Sequence, residues 1–110
     1  MFFKKFLQHE KKFKNFSEFY PYYLREHNNK YTKLLHFIGS SLFIYFHIIF
    51  MTNLELRNIA FGFISAYGLA WFSHFTIEKN KPATFFNPIY SFFGDCVMYY
   101  EILKGKHKIF

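Results

Sequence analysis

The sequence predicts an all-α fold: a small helical integral membrane protein of 110 residues in a single membrane domain, 1–110. Hydrophobic residues make up 52% of the chain and aromatic residues 26%, which is more apolar surface than a soluble core of this size can bury. Two long runs, 34–51 and 59–77, contain no formal charge. No stretch shows the alternation that is typical of a half-buried strand.

The two uncharged runs predict two transmembrane helices. An 18-residue helix is about 27 Å long, which is close to the hydrocarbon thickness of a bilayer. The polar turn at 52–58 connects the runs. Small residues in the second run, including Gly62 and Ala66, would allow the two helices to approach closely.

The segments that flank this hairpin are basic or interrupted. Residues 1–15 combine Phe with Lys and predict a basic, aromatic N-terminal helix on the membrane surface. The third apolar stretch, 85–103, contains Pro88 and Asp95 and is predicted to be re-entrant or interfacial. Lys and Arg collect at both chain ends and at 79–81, so the positive-inside rule places these three segments on the cytoplasmic side.

The net charge of +7 suits either nucleic acid or anionic lipid. No zinc-finger, RRM-like or helix-turn-helix signature accompanies the charge, so we expect membrane lipid as the partner and no nucleic acid. The chain also has no GxSxG or P-loop motif, and acyl transfer and nucleotide chemistry therefore lack support.

Residues that can bind a metal lie at the cytoplasmic ends of the predicted spans. His36 begins the first span, and His74 and Glu78 close the second. His74 and Glu78 are four residues apart, so a helix presents both on one face. His27 can share a site with His36 only if the chain breaks between them, and the two asparagines at 28–29 favour such a break. A continuous helix over 20–50 would exclude a site that uses both.

Imidazoles with one carboxylate suit a non-haem iron that binds oxygen, and ligand type leaves zinc as the alternative. Two other functions compete with an enzyme: a non-catalytic membrane protein whose histidines are structural, and a basic lipid-binding module. Asp95 is interpreted either as a turn cap or as an acceptor that orients a ligand histidine. His47, in the middle of the first span, is expected to be a packing residue.

The chain resembles the 2-hydroxy fatty acid dioxygenase family over residues 16–106, in the segments FYPYYLREHNN, LHFIG, SHFTIEKNKPATF and SFFGDCVMYYEILKGK. The resemblance implies an enzyme that uses Fe2+ and dioxygen to shorten a 2-hydroxy fatty acid by one carbon. It further implies that His27, His36 and His74 are the iron ligands and that Glu78 is a catalytic residue, as a ligand or a nearby base. We expect the site to face the cytoplasm, from a bacterial inner membrane or the endoplasmic reticulum of a eukaryote.

Overall fold

The computed structural model describes residues 13–109, which form helices joined by short turns and contain no strand in that range. The all-α prediction is therefore confirmed for these residues, whereas most of the predicted surface segment at 1–15 lies outside them. The elements are α1 (Phe16–Arg25), α2 (Lys30–Asn53), α3 (Leu56–Ser73), a π-helical turn (His74–Glu78), a 3-10 turn (Ala83–Phe85) and α4 (Pro88–Leu103).

The chain breaks between α1 and α2, as a site shared by His27 and His36 requires. α1 ends at Arg25, and Asn29 caps α2 by accepting the Tyr31 N–H on its side-chain oxygen at 2.8 Å. An asparagine at this position satisfies a backbone donor that the first turn of a helix leaves without a partner. The predicted break at 28–29 is confirmed.

α2 and α3 form an antiparallel hairpin whose backbones approach closely. A Cβ at Gly39 would lie 3.1 Å from Ala66 Cα, and a Cβ at Gly62 would lie 3.0 Å from Nδ1 of His47. Small residues are therefore required at these crossings. His47 donates Nδ1–H to the Phe43 carbonyl at 2.8 Å and packs inside the hairpin, as expected.

The outer faces of the hairpin are apolar and exposed. Ile48, Met51 and Ile64 are 58%, 76% and 67% exposed. Of the helices in the described range, α2 is the one that is long and apolar enough to cross a membrane. The second predicted span, 59–77, is divided between the 18-residue α3 and the π-helical turn. A second transmembrane helix is therefore not confirmed.

The buried apolar core lies where α1 packs on α4, at the end of the molecule away from the turn between α2 and α3. Its fully or nearly buried members are Phe19, Tyr22, Tyr23, Ala83, Met98, Ile102 and Ile109. A hydrogen bond also joins the same two helices: the Tyr20 hydroxyl donates to Glu101 at 2.6 Å. α4 therefore packs on protein, and its predicted re-entrant or interfacial position in a membrane stays a prediction.

Candidate metal centre

Three buried histidines converge where α1, α2 and the π-helical turn meet. Nε2 of His27 lies 3.0 Å from Nε2 of His36 and 3.0 Å from Nε2 of His74. One ligand nitrogen from each ring lies within 4.8 Å of the other two, and none of the three residues is more than 6% exposed. The structure therefore brings together the three histidines that were predicted as metal ligands.

The other ring nitrogen of each histidine faces an oxygen that can only accept a hydrogen bond. The three pairs are His27 with the Tyr23 carbonyl at 2.6 Å, His36 with the Thr32 carbonyl at 2.9 Å, and His74 with the Asn80 side-chain oxygen at 2.6 Å. Because a carbonyl has no proton to donate, each Nδ1 carries a proton, and in the neutral imidazole Nε2 then keeps a lone pair. Lone pairs this close repel one another unless a cation lies among them, so this donor set fits a metal ion.

The surroundings also hold His27 in its neutral form. Burial and then the neighbouring imidazoles of His36 and His74 lower the pKa of His27 well below its usual range. The neutral imidazole is the form that binds a metal. Little free energy is therefore needed to remove a proton from His27 before a metal binds.

A π-helical turn and a reversal of the backbone place His74 and its partner Asn80. Lys79 adopts the left-handed conformation with φ 58°, and the chain turns back so that the Asn80 N–H donates to the His74 carbonyl at 2.9 Å. The Asn80 side chain is 1% exposed and donates to the backbone and side-chain oxygens of Glu26 at 3.2 and 3.0 Å. Sequence reasoning missed Asn80, whose only signal is an amide six residues after His74, between two lysines.

Glu78 follows His74 by four residues but has partners of another kind. Its Oε2 accepts the Asn29 N–H at 2.8 Å and the Thr32 hydroxyl at 2.6 Å. The candidate metal-binding group found within residues 13–109 contains the histidines and not Glu78. These contacts cap α2 from outside the helix and tie the π-helical turn to it. The catalytic role of Glu78 stays a prediction.

Asp95 on α4 is joined to the centre through one residue. The Tyr23 hydroxyl donates to Asp95, and the Tyr23 carbonyl accepts from His27. Burial raises the pKa of Asp95 to about 7, although the hydrogen bond from Tyr23 opposes this shift. Of the two interpretations of Asp95, these contacts favour an acceptor that acts on a histidine.

A cavity of about 220 Å³ opens beside the histidines, between α2, α3 and α4. All three histidines line it. The apolar and aromatic part of the lining consists of Phe43, Ile44, Ala66, Tyr67, Ala70, Trp71, Pro82, Phe92 and Tyr99. The remaining described lining residues are Ser40, Thr84, Ser91, Asp95 and Cys96, with no Lys or Arg among them. The cavity therefore suits a molecule with an apolar part and a polar end that reaches the histidines.

The family model described as "2-hydroxy-palmitic acid dioxygenase Mpo1-like" matches residues 13–107. The chain belongs to the Mpo1-like family. This match confirms the family resemblance seen in the sequence, and it spans every residue of the centre described above. No curated protein and no solved structure matches this Mpo1-like chain.

In this Mpo1-like centre, we expect Asn80→Ala to weaken metal binding about 10-fold to 100-fold, because the His74 ring would lose the oxygen that orients it. Titration of the purified protein with Co2+, followed by visible absorption, measures the affinity. Asn53→Ala is the matched control, since the Asn53 side-chain oxygen accepts the Glu55 N–H at 3.0 Å at the far end of the hairpin. Equal Co2+ affinity in the two variants would contradict the role given to Asn80.

Proposed function

We propose that this Mpo1-like protein is a dioxygenase that depends on Fe2+ and shortens a 2-hydroxy fatty acid by one carbon at a membrane surface. The observation that carries the proposal is the set of three converging Nε2 lone pairs beside an apolar cavity. The family description supports the substrate class, since it names a 2-hydroxy-palmitic acid dioxygenase.

His27, His36 and His74 would hold the iron through Nε2. Three protein ligands leave coordination positions open, as catalytic sites require, whereas a structural zinc site is closed by four. Iron(II) bound there supplies a Lewis acid and the redox chemistry of dioxygen. The protein's own contribution is to keep three neutral imidazoles fixed and largely shielded from water.

The cavity offers a binding site for an amphipathic acid. Burial of an acyl chain against Phe43, Ile44 and Trp71 removes apolar surface from water, at about 25 cal/mol per Å². The hydroxyls of Thr84 and Ser91 form a hydrogen bond of 3.1 Å in the lining, and the one that accepts in this bond keeps a proton that it can donate to an oxygen of the acid. Since the described lining has no Lys or Arg, the metal is the cation that it offers to the carboxylate.

The hairpin would lie in the bilayer with the metal centre at its cytoplasmic end. The length and apolar character of α2 and the exposed apolar outer faces of both helices support this position. Lys30, Lys33, Lys79 and Lys81 lie at the end of the hairpin that holds the histidines, whereas the far turn carries Arg57. By the positive-inside rule the lysine-rich end faces the cytoplasm, in a bacterial inner membrane or in the endoplasmic reticulum of a eukaryote.

The test is mass spectrometry of the products formed from 2-hydroxy-palmitic acid by purified protein with Fe2+ and dioxygen. We expect an acid one carbon shorter, with consumption of dioxygen, and no such product from His74→Ala. Palmitic acid, which lacks the 2-hydroxyl, is the matched control and should remain unchanged. An iron-loaded, folded wild type that leaves the 2-hydroxy acid intact would contradict the proposal.

Glu78→Gln tests the catalytic role of Glu78 in the same assay. An amide oxygen can still accept the hydrogen bonds from Asn29 and Thr32, but it is neither a base nor a good ligand. If Glu78 is a base, Glu78→Gln should retain iron and lose turnover, whereas loss of a ligand should also weaken iron binding. Unchanged turnover would restrict Glu78 to its contacts with α2.

A further inference from the structure

Three rings on α1 and the turn after it form a stacked column. The ring centroids of Tyr20 and Tyr23 are 5.7 Å apart at 17°, and those of Tyr23 and His27 are 4.0 Å apart at 25°. Residues three and four apart share a helix face, so the column follows from their spacing. The orientation of the His27 imidazole therefore depends on the Tyr23 ring, on which it stacks.

Tyr23 holds His27 through its backbone and is itself held by α4. Its carbonyl accepts Nδ1–H of His27 at 2.6 Å, and its hydroxyl donates to Asp95. Tyr23 is fully buried, so its hydrogen bond to Asp95 is shielded from water. A phenol hydroxyl carries its proton at neutral pH and is therefore the donor to Asp95.

α4 also packs directly on the Tyr23 ring, next to Asp95. A Cβ at Gly94 would lie 2.9 Å from both Cδ2 and Cε2 of Tyr23, so glycine is needed for this approach. Contact with the α4 backbone restricts the ring from the side, and the hydrogen bond to Asp95 fixes the hydroxyl end. These two neighbours on α4 therefore restrict the position of the Tyr23 ring.

We propose that Asp95 is a positioning residue of the metal centre, which acts through Tyr23 to hold the His27 imidazole with Nε2 toward His36 and His74. Asp95 needs no contact with the metal or with the substrate for this role. The inference rests on the metal site of the proposed function and adds α4 to the elements that build it. It also explains why an acid lies in an apolar stretch of the chain, where a carboxylate is costly without a specific partner.

The same two helices supply a matched control. The Tyr20 hydroxyl donates to Glu101 at 2.6 Å, which is again a tyrosine of α1 bound to a carboxylate of α4. Tyr20 has no described contact with His27 and lies one turn further from the metal centre. Loss of the Tyr20 hydroxyl should loosen the packing of α1 on α4 without freeing the His27 ring.

The experiment is a titration of the full-length protein in detergent with Co2+, which reports affinity and, through its visible absorption bands, ligand geometry. We expect Tyr23→Phe and Asp95→Leu each to weaken Co2+ binding about 10-fold to 100-fold and to shift the bands. The double variant, Tyr23→Phe with Asp95→Leu, should bind Co2+ about as weakly as the weaker-binding single variant, because both changes remove the same hydrogen bond. Asp95→Asn keeps an oxygen that can accept from Tyr23 and should rescue both affinity and spectrum, and Tyr20→Phe should resemble wild type in both.

Wild-type affinity and spectrum in Tyr23→Phe would overturn the inference, and so would equal weakening in Tyr20→Phe, since that would indicate general loosening of α1. If Asp95→Leu fails to fold, Tyr23→Phe decides alone, because it removes a single oxygen atom. A wild type that binds no Co2+ and no Fe2+ would overturn the metal site itself, and the proposed function with it. Metal-bound variants that differ as expected, without turnover of the 2-hydroxy acid, would support the inference and contradict only the substrate.

Discussion

A His36→Ala variant is expected to lose stoichiometric metal while it keeps its helical fold. Two Nε2 donors would remain, and the affinity should fall by more than the roughly 100-fold upper range that is typical for loss of a partner outside the ligand set. The metal-free protein should tolerate the change, because removal of one imidazole relieves the repulsion among three close lone pairs. Metal content after dialysis, measured by inductively coupled plasma mass spectrometry, and circular dichroism together check this expectation.

His47→Ala is the matched control for this variant, since it also removes one histidine from α2. Nδ1 of His47 donates to the Phe43 carbonyl within the hairpin, and His47 is outside the candidate metal-binding group. We expect it to retain wild-type metal content. Equal metal in His36→Ala and His47→Ala would remove His36 from the ligands.

Gly39→Leu is expected to destabilise the hairpin and to weaken metal binding together. A Cβ at this position would already lie 3.1 Å from Ala66 Cα and 3.2 Å from its carbonyl oxygen, so α2 and α3 must separate to admit a larger side chain. Overpacking of this kind costs about 1–3 kcal/mol. Because Gly39 lies one turn from His36, the separation would also move His36 away from His74. Chemical unfolding in detergent and Co2+ titration measure the two effects.

Gly68→Leu provides the control for the same substitution. A Cβ at Gly68 would meet nothing within 4 Å, so the larger side chain fits without movement of either helix. Leucine also has the higher helix propensity, and we expect no loss of stability. If Gly39→Leu proved as stable as Gly68→Leu, the close crossing of α2 and α3 would be wrong.

Much of the fold could be predicted from local features of the sequence. Uncharged runs give the hairpin, because an apolar helix has few other stable arrangements, and the asparagines at 28–29 give the break before α2. The three histidines could be expected to meet because the hairpin returns His74 to the end where His36 begins. The second span is the exception, since a π-helical turn interrupts the pattern after Ser73.

The partners of the histidines could not be predicted in the same way. Asn80 reaches His74 only because Lys79 adopts a left-handed conformation, which a lysine does not signal. The role of Glu78 was predicted from its spacing to His74. In the structure its Oε2 accepts hydrogen bonds from Thr32 and Asn29 at the start of α2, which are 46 and 49 residues away. The link between Tyr23 and Asp95 spans 72 residues. Such pairs depend on tertiary packing, which no local pattern encodes.

The metal centre and the apolar core lie at the same end of the molecule, and the far half of the hairpin has small crossing residues and outer faces that are apolar and exposed. In a bilayer, a difference between hydrophobic length and membrane thickness is accommodated by tilting or by local deformation of the lipid. For a hairpin inserted as proposed, the adjustment would be concentrated in the far half, because α1 and α4 brace the near half. In that position the geometry of the three histidines would be insulated from hydrophobic mismatch, and one centre would serve membranes of different thickness.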